Sequence, residues 1–292
     1  MLCARITAHP MQITIAPGVR LFFDIDGAGW VPDGPTLRQR PTLILLHGGP
    51  GFDHSSFKPL FAGLADIAQV LYVDHRGHGR SNPRPAQEWT LDTFADDVVR
   101  LCDALGIVQP IVLGQSFGGF VAQRYLARHP GHPAKVVLSS TSGRLGLARK
   151  LAVFERLGGV AARDAAQAFW QAPSAATWTP YSVLCRPLYN RTRPPSGDAA
   201  ARGLHRDEIL FTWSGGEMQT MDLLPGLARA TCPVLVMAGE DDPVCPVDDA
   251  LDIAAALPTG RAQLARFAGC GHGVWCDDAP AALACLRRFI LS

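Results

Sequence analysis

The chain of 292 residues has little charge of either sign: 27 Lys and Arg stand against 26 Asp and Glu, and charged residues make up only 18%. That balance supplies no whole-chain attraction for nucleic acid or an anionic membrane. With 48% hydrophobic residues the composition is the opposite of a disordered chain and is sufficient for a sizeable core. No apolar run approaches the roughly 20 residues that a bilayer crossing needs. The opening MLCARITAHPMQITIAPG lacks the basic segment and continuous apolar stretch of a secretory signal. The eight cysteines include no CxxC pair, and HExxH is absent, so the usual anchors of a structural or catalytic zinc site are missing. The expectation is a cytoplasmic protein with reduced cysteines, no metal and no cofactor, and neither nucleic acid nor membrane as partner.

What the sequence does contain is a rhythm. TLILLH (42–47), VLYVD (70–74), IVLG (111–114), VVLSS (136–140) and VLVMAG (234–239) are short runs rich in Val, Ile and Leu that read as strands covered on both faces. Between them LDTFADDVVRLCDAL (91–105) sets Leu91, Phe94, Ala95, Val98, Leu101, Cys102 and Leu105 on one helical stripe. A second helix is expected from just after Ser116 to about Arg128, where Pro130 and Gly131 stop it. Strands alternating with such helices predict an α/β fold with a mainly parallel central sheet. From about 145 to 224 the rhythm breaks into helical pieces, a turn-rich RTRPPSGDAAARG (191–203) and the aromatics Trp170, Trp178, Tyr181, Tyr189 and Trp213. It resumes at Pro233, with a short strand ARF (265–267) and a closing helix near 279–290. The predicted organisation is a core formed by 1–144 and 225–292, with 145–224 inserted as a mostly helical cap.

Three glycine-rich turns leave the carboxyl ends of predicted strands, where an open α/β sheet gathers its chemistry. GQSFGG (114–119) fits the G-x-S-x-G elbow: the glycines permit a tight strand-to-helix turn that lifts the Ser116 hydroxyl into the open. Serine alone is a poor nucleophile at neutral pH and requires a base. GCGHG (269–273) offers His272, and GEDDPVCP (239–246) offers Glu240, Asp241 and Asp242 as candidate acids. The order serine, acid, histidine is that of acyl hydrolases built on this architecture. HGGPG (47–51) follows the first predicted strand, and the Gly49 N–H can join that of Phe117 in facing an oxyanion.

These motifs, together with DHRGHGRS (74–81), resemble the α/β-hydrolase superfamily over nearly the whole chain, and within it the proline iminopeptidase group of serine peptidases. The resemblance implies Asp242 as the acid and His272 as the base, and a serine hydrolase acting through an acyl-enzyme on a small-molecule or short peptide substrate. His75 and Phe117 depart from the DQRG and GxSWG patterns of the peptidases. DHRGHGRS itself is expected to be architectural, with Asp74 and Arg76 pairing to hold the loop. The resemblance further implies a cap carboxylate reading a free amino terminus, with Glu217 foremost, Glu208 and Glu155 behind it, and Trp213 shaping an apolar pocket. The leading expectation is therefore an aminopeptidase of the proline iminopeptidase type; the alternative is a carboxylesterase or lactonase using the same triad.

Overall fold

The computed structural model describes residues 11–192 and 203–292, so most of the turn-rich 191–203 stretch and the first ten residues lie outside the described residues. Among the described residues there are ten strands: β1 Gln12–Ala16, β2 Val19–Asp26, β3 Trp30–Asp33, β4 Thr36–Gln39, β5 Thr42–Leu46, β6 Gln69–Val73, β7 Ile111–Gln115, β8 Lys135–Ser139, β9 Val234–Gly239 and β10 Ala262–Phe267. Eight of them form one sheet in the order β1-β2-β6-β5-β7-β8-β9-β10, while β3 and β4 form a separate hairpin. Every neighbour pair from β6 to β10 is parallel, and β2 pairs antiparallel with both β1 and β6.

The buried strands match the apolar runs because each residue alternates between two covered faces. In β5, Ile44 and Leu46 pack into the core with Phe94, Val98 and Val121, whereas Leu43 and Leu45 join Phe57, Phe61 and Leu286 on the other side. The β1–β2 pair and the β3–β4 hairpin were not among the predicted strands. Their side chains are largely exposed or half-buried, so they carry no continuous apolar signature.

The helices are α1 Leu91–Leu105, α2 Phe117–Arg128, α3 Leu147–Gln171, α4 Ala175–Leu184, α5 Asp207–Gly215, α6 Glu217–Thr220, α7 Leu224–Leu227, α8 Val247–Ala256, α9 Val274–Asp277 and α10 Ala279–Leu291. The Thr90 hydroxyl caps α1 by accepting the Thr93 N–H, and Gly106 ends it in the left-handed region at φ 67°. Between β8 and β9 the described residues contain α3 to α7 and no strand of the sheet, which makes this segment an inserted helical cap. Its aromatics pack inward: Trp213 is 2% exposed and meets Phe117 and Phe120 at ring-centroid distances of 4.8 and 5.8 Å. No helix among the described residues is long and apolar enough to cross a membrane.

Candidate active site

Ser116 joins β7 to α2 with φ 54° and ψ −116°, a conformation that a non-glycine residue adopts only when its surroundings enforce it. The enforcement is visible on both sides. Ser116 donates its N–H to Ser139 O at 3.0 Å, and its carbonyl accepts from Thr141 Oγ1 at 2.9 Å. The turn closes because Gly118 has no side chain: a Cβ there would stand 2.0 Å from Leu46 O, so β5 and α2 could not approach. Ser116 thereby lines a cavity of about 280 Å³ between the sheet and the cap.

His272 lines the same cavity from the loop after β10. Its Nδ1 is 2.9 Å from Asp242 Oδ2, and Asp242 Oδ1 accepts the Val244 and Cys245 N–H groups at 2.7 and 2.8 Å. Of the three adjacent carboxylates, Asp242 is the one that reaches the ring. Glu240 pairs with Arg266 at 2.8 Å, and Asp241 with Arg156 and Arg191 at 2.9 and 2.5 Å. The bond to Asp242 places the proton on Nδ1 and leaves Nε2 as the ring's free base. The Gln115 amide nitrogen stands 3.5 Å from that Nε2, and among the described residues Ser116 makes no hydrogen bond to the ring. Such bonds commonly tighten only when substrate is in place.

Donor atoms of Asp242, Cys245 and His272 lie within 4.8 Å of one another, a grouping that could in principle hold a metal. The chemistry of the set favours hydrogen bonding instead. Both carboxylate oxygens and Nδ1 already have partners, and burial pushes the Cys245 thiol far up, away from the thiolate a metal would want.

On the opposite wall, Gly49 lines the cavity at φ 128°. Neither its N–H nor that of Phe117 has a hydrogen-bond partner among the described residues, so both donors remain for a ligand oxygen. Beneath them is a cluster of buried histidines. His47 makes a 2.7 Å contact from Nδ1 to Gly48 O and accepts the His75 N–H at Nε2, 3.2 Å away. Burial holds all three rings below the usual histidine range, His78 down to about 3, and His75 is also lowered well below its ordinary value, first by burial and then by repulsion from His47 and His78.

The expected Asp74–Arg76 pair does not form. The Asp74 carboxylate turns to His54, whose backbone N–H and Nδ1 lie 2.9 and 2.7 Å from Oδ1, and to the Arg80 N–H. Arg76 points the other way, clasping Asp97 with Nε and Nη2 at 2.7 and 2.6 Å and reaching Glu88 at 2.6 Å. Each residue still anchors the loop, but to a different neighbour.

The cap candidates lie away from the cavity wall. Glu217 does not line the cavity; its Oε2 accepts the Leu91 N–H at the start of α1, at 2.8 Å, and the Trp213 indole N–H at 3.3 Å. An unsatisfied helix N-terminus and a buried indole are stronger local demands on this carboxylate than an open pocket. Trp213 is likewise absent from the cavity wall, its ring being spent on Phe117 and Phe120. Glu208 is exposed, and Glu155 pairs with Arg163 at 3.0 Å.

The cap contributes other residues instead. Tyr189 lines the cavity, its carbonyl accepts the His272 N–H at 2.6 Å, and its hydroxyl is 2.7 Å from that of Tyr181. Lys150 on α3 is wholly buried, lines the cavity and donates to Val244 O in the acid loop. Gln115 could have been found from its place inside the GQSFGG elbow. Tyr189 and Lys150 carried no such signal, because their roles arise from the folding of the cap over the core.

Residues 41–278 match the family described as the alpha/beta hydrolase fold. This chain belongs to the α/β-hydrolase family. Its relatives differ in what they are called. The chain is 29% identical to a non-heme chloroperoxidase of Streptomyces lividans over 90% of its own length and 92% of that protein. It is 26% identical to the proline iminopeptidase PfmaB of Pestalotiopsis fici, over 87% and 92% respectively. Among solved structures, the esterase RhEst1 from Rhodococcus sp. ECU1013 superposes with a TM-score of 0.69 at 26% identity, covering 97% of this chain and 98% of that one. The hydrolase fold and class are common ground, and the proline iminopeptidase likeness is one resemblance among several at similar identity.

Proposed function

We propose that this α/β-hydrolase cleaves a small ester or lactone through an acyl-enzyme on Ser116. In this reading Ser116 Oγ attacks the carbonyl carbon while His272 Nε2 takes its proton. Asp242 stabilises the resulting imidazolium, and the N–H groups of Gly49 and Phe117 receive the oxyanion. The protonated ring then returns the proton to the departing alcohol, and water, activated by the same base, releases the acid.

The observation that carries ester over aminopeptidase chemistry is the state of the carboxylates. Recognition of a free amino terminus needs an acid that faces the cavity and is not already paired with a cation. Glu217 is engaged at α1, and Asp53, which does line the cavity, has Oδ1 taken by the Ser55 N–H and Oδ2 by Arg80 and the Leu204 N–H. The likeness to the esterase RhEst1 supports the same choice.

The test compares short-chain aryl esters and lactones with free and N-acetylated prolyl arylamides. Ester or lactone turnover that dominates, with covalent labelling of Ser116 by a serine-directed phosphonate, is the expected result. Preferential cleavage of the unblocked prolyl arylamide would return the protein to the peptidase group, and full activity in Ser116→Ala would remove the mechanism altogether.

A further inference from the structure

The cavity holds a buried cation whose hydrogen-bonding capacity is only partly used. Lys150 is 0% exposed and lies on the cavity wall. A lysine ammonium has three N–H donors. One goes to Val244 O, and the Trp170 ring lies 5.4 Å from Nζ. Among the described residues no carboxylate oxygen comes within 4.0 Å of Nζ; the buried Asp249 feels its charge from further off, with Oδ1 bonded to Arg149 at 2.9 Å and Oδ2 without a hydrogen-bond partner. A buried ammonium without a close counter-ion is costly, and the cost falls when an anion completes its shell.

Among the described residues the wall carries a second cation. Arg186 also lines the cavity, its guanidinium 5.9 Å from the Phe52 ring centre and 5.8 Å from that of Trp178, with no carboxylate paired to it among the described residues. Among the described residues the carboxylate on the wall is Asp53, which is paired with Arg80 and hydrogen-bonded by two backbone N–H groups. The exposed Arg186 adds a screened charge, while the buried charge of Lys150 acts in low dielectric, where it favours an anionic ligand over an ammonium one.

We infer that the substrate is an ester or lactone whose acyl portion carries a carboxylate, which the Lys150 ammonium binds while the scissile carbonyl sits at Ser116. The inference rests on the ester-hydrolase reading above and names the class of ester. Arg186 adds to the attraction at the same cavity. Lys150 has a second consequence, since Val244 also donates its N–H to Asp242: its bond to Val244 O ties the cap to the acid loop. A purely structural lysine would affect every substrate alike, whereas a carboxylate-binding lysine separates charged from neutral ones.

Monoethyl glutarate and its neutral counterpart ethyl glutaramate, in which a primary amide replaces the carboxylate, share acyl length and leaving group and provide that separation. The wild type is expected to show kcat/KM about tenfold or more higher on monoethyl glutarate, and Lys150→Met to bring the ratio of the two close to unity. Free glutarate should also inhibit wild-type cleavage of ethyl glutaramate competitively, a measurement that needs no variant. Cleavage of both esters without preference, or an equal loss on both in Lys150→Met, overturns the inference and leaves the esterase reading standing. Cleavage of neither, with Ser116 refractory to phosphonate, strikes the esterase reading itself and the inference with it.

Discussion

Glu217 Oε2 lies 2.8 Å from the Leu91 backbone nitrogen, joining a cap residue to the first turn of a core helix 126 positions away in sequence. The contact satisfies one of the N–H groups that every helix start leaves free, and it places a negative charge at the positive end of α1. Replacing the side chain therefore tests stability before it tests specificity. Glu217→Ala should cost about 1–2 kcal/mol and lower Tm by a few degrees, as loss of a charged helix-start acceptor generally does. Its effect on kcat/KM should be the same for substrates with a free and an acetylated amino group. A selective loss on the free amine would restore Glu217 to substrate recognition.

Asp242 and His272 give the second prediction. Because Asp242 Oδ2 meets Nδ1 and Oδ1 takes two backbone N–H groups, Asp242→Asn keeps most of the loop's shape and spoils the ring's tautomer and charge balance. Turnover should fall by about 10⁴-fold with little change in the far-ultraviolet circular dichroism spectrum. Asp241→Asn, which loosens contacts to Arg156 and Arg191, should stay within about tenfold of wild type. Steady-state rates on one aryl ester decide between them.

A third prediction concerns the elbow. Gly118→Ala forces a Cβ to within 2.0 Å of Leu46 O, and backbone must move to admit it. Destabilisation on the order of 4 kcal/mol and loss of phosphonate labelling at Ser116 are expected, since the same displacement opens the strained turn. Gly131→Ala, where no atom lies within 4 Å of the added methyl, should leave the urea midpoint nearly unchanged. Equal midpoints for the two variants would remove the packing argument.

The buried histidines predict how stability depends on pH. His78 is depressed to about 3 from an ordinary 6.5, first by burial and then by the neighbouring His47. The unfolded chain therefore takes up a proton below 6.5 that the folded chain refuses. The stability this ring contributes is fully present above 6.5 and is lost as the pH falls from 6.5 towards 3. Between pH 6.5 and 5 the loss is about 2 kcal/mol for one such ring, with His47 and His75 adding in the same direction. Urea midpoints measured across this range should slope less steeply in His78→Gln than in the wild type; parallel slopes would show that the ring is not the source.

The legible part of this protein was local. A strand covered on both faces must be apolar along its whole length, so TLILL, VLYV and VLVMAG announce themselves, and α1 follows from one stripe of side chains at helical spacing. The elbow is equally local, because its geometry is built from glycines within a few residues of Ser116. The strands β1 and β2, at one end of the sheet, were not legible, since half-buried residues impose no strict pattern. Among Glu240, Asp241 and Asp242 the choice came from family likeness in the sequence and from a hydrogen bond in the fold, for neighbouring side chains on one loop point in different directions. The roles of the cap's side chains were decided by tertiary structure alone. Whether Glu217 faces a ligand or a helix start, and whether Lys150 faces solvent or a cavity, depends on how a segment without sheet register settles over the core. A carboxylate or an ammonium goes wherever the unmet hydrogen bonds are, and the sequence does not say where folding will leave them.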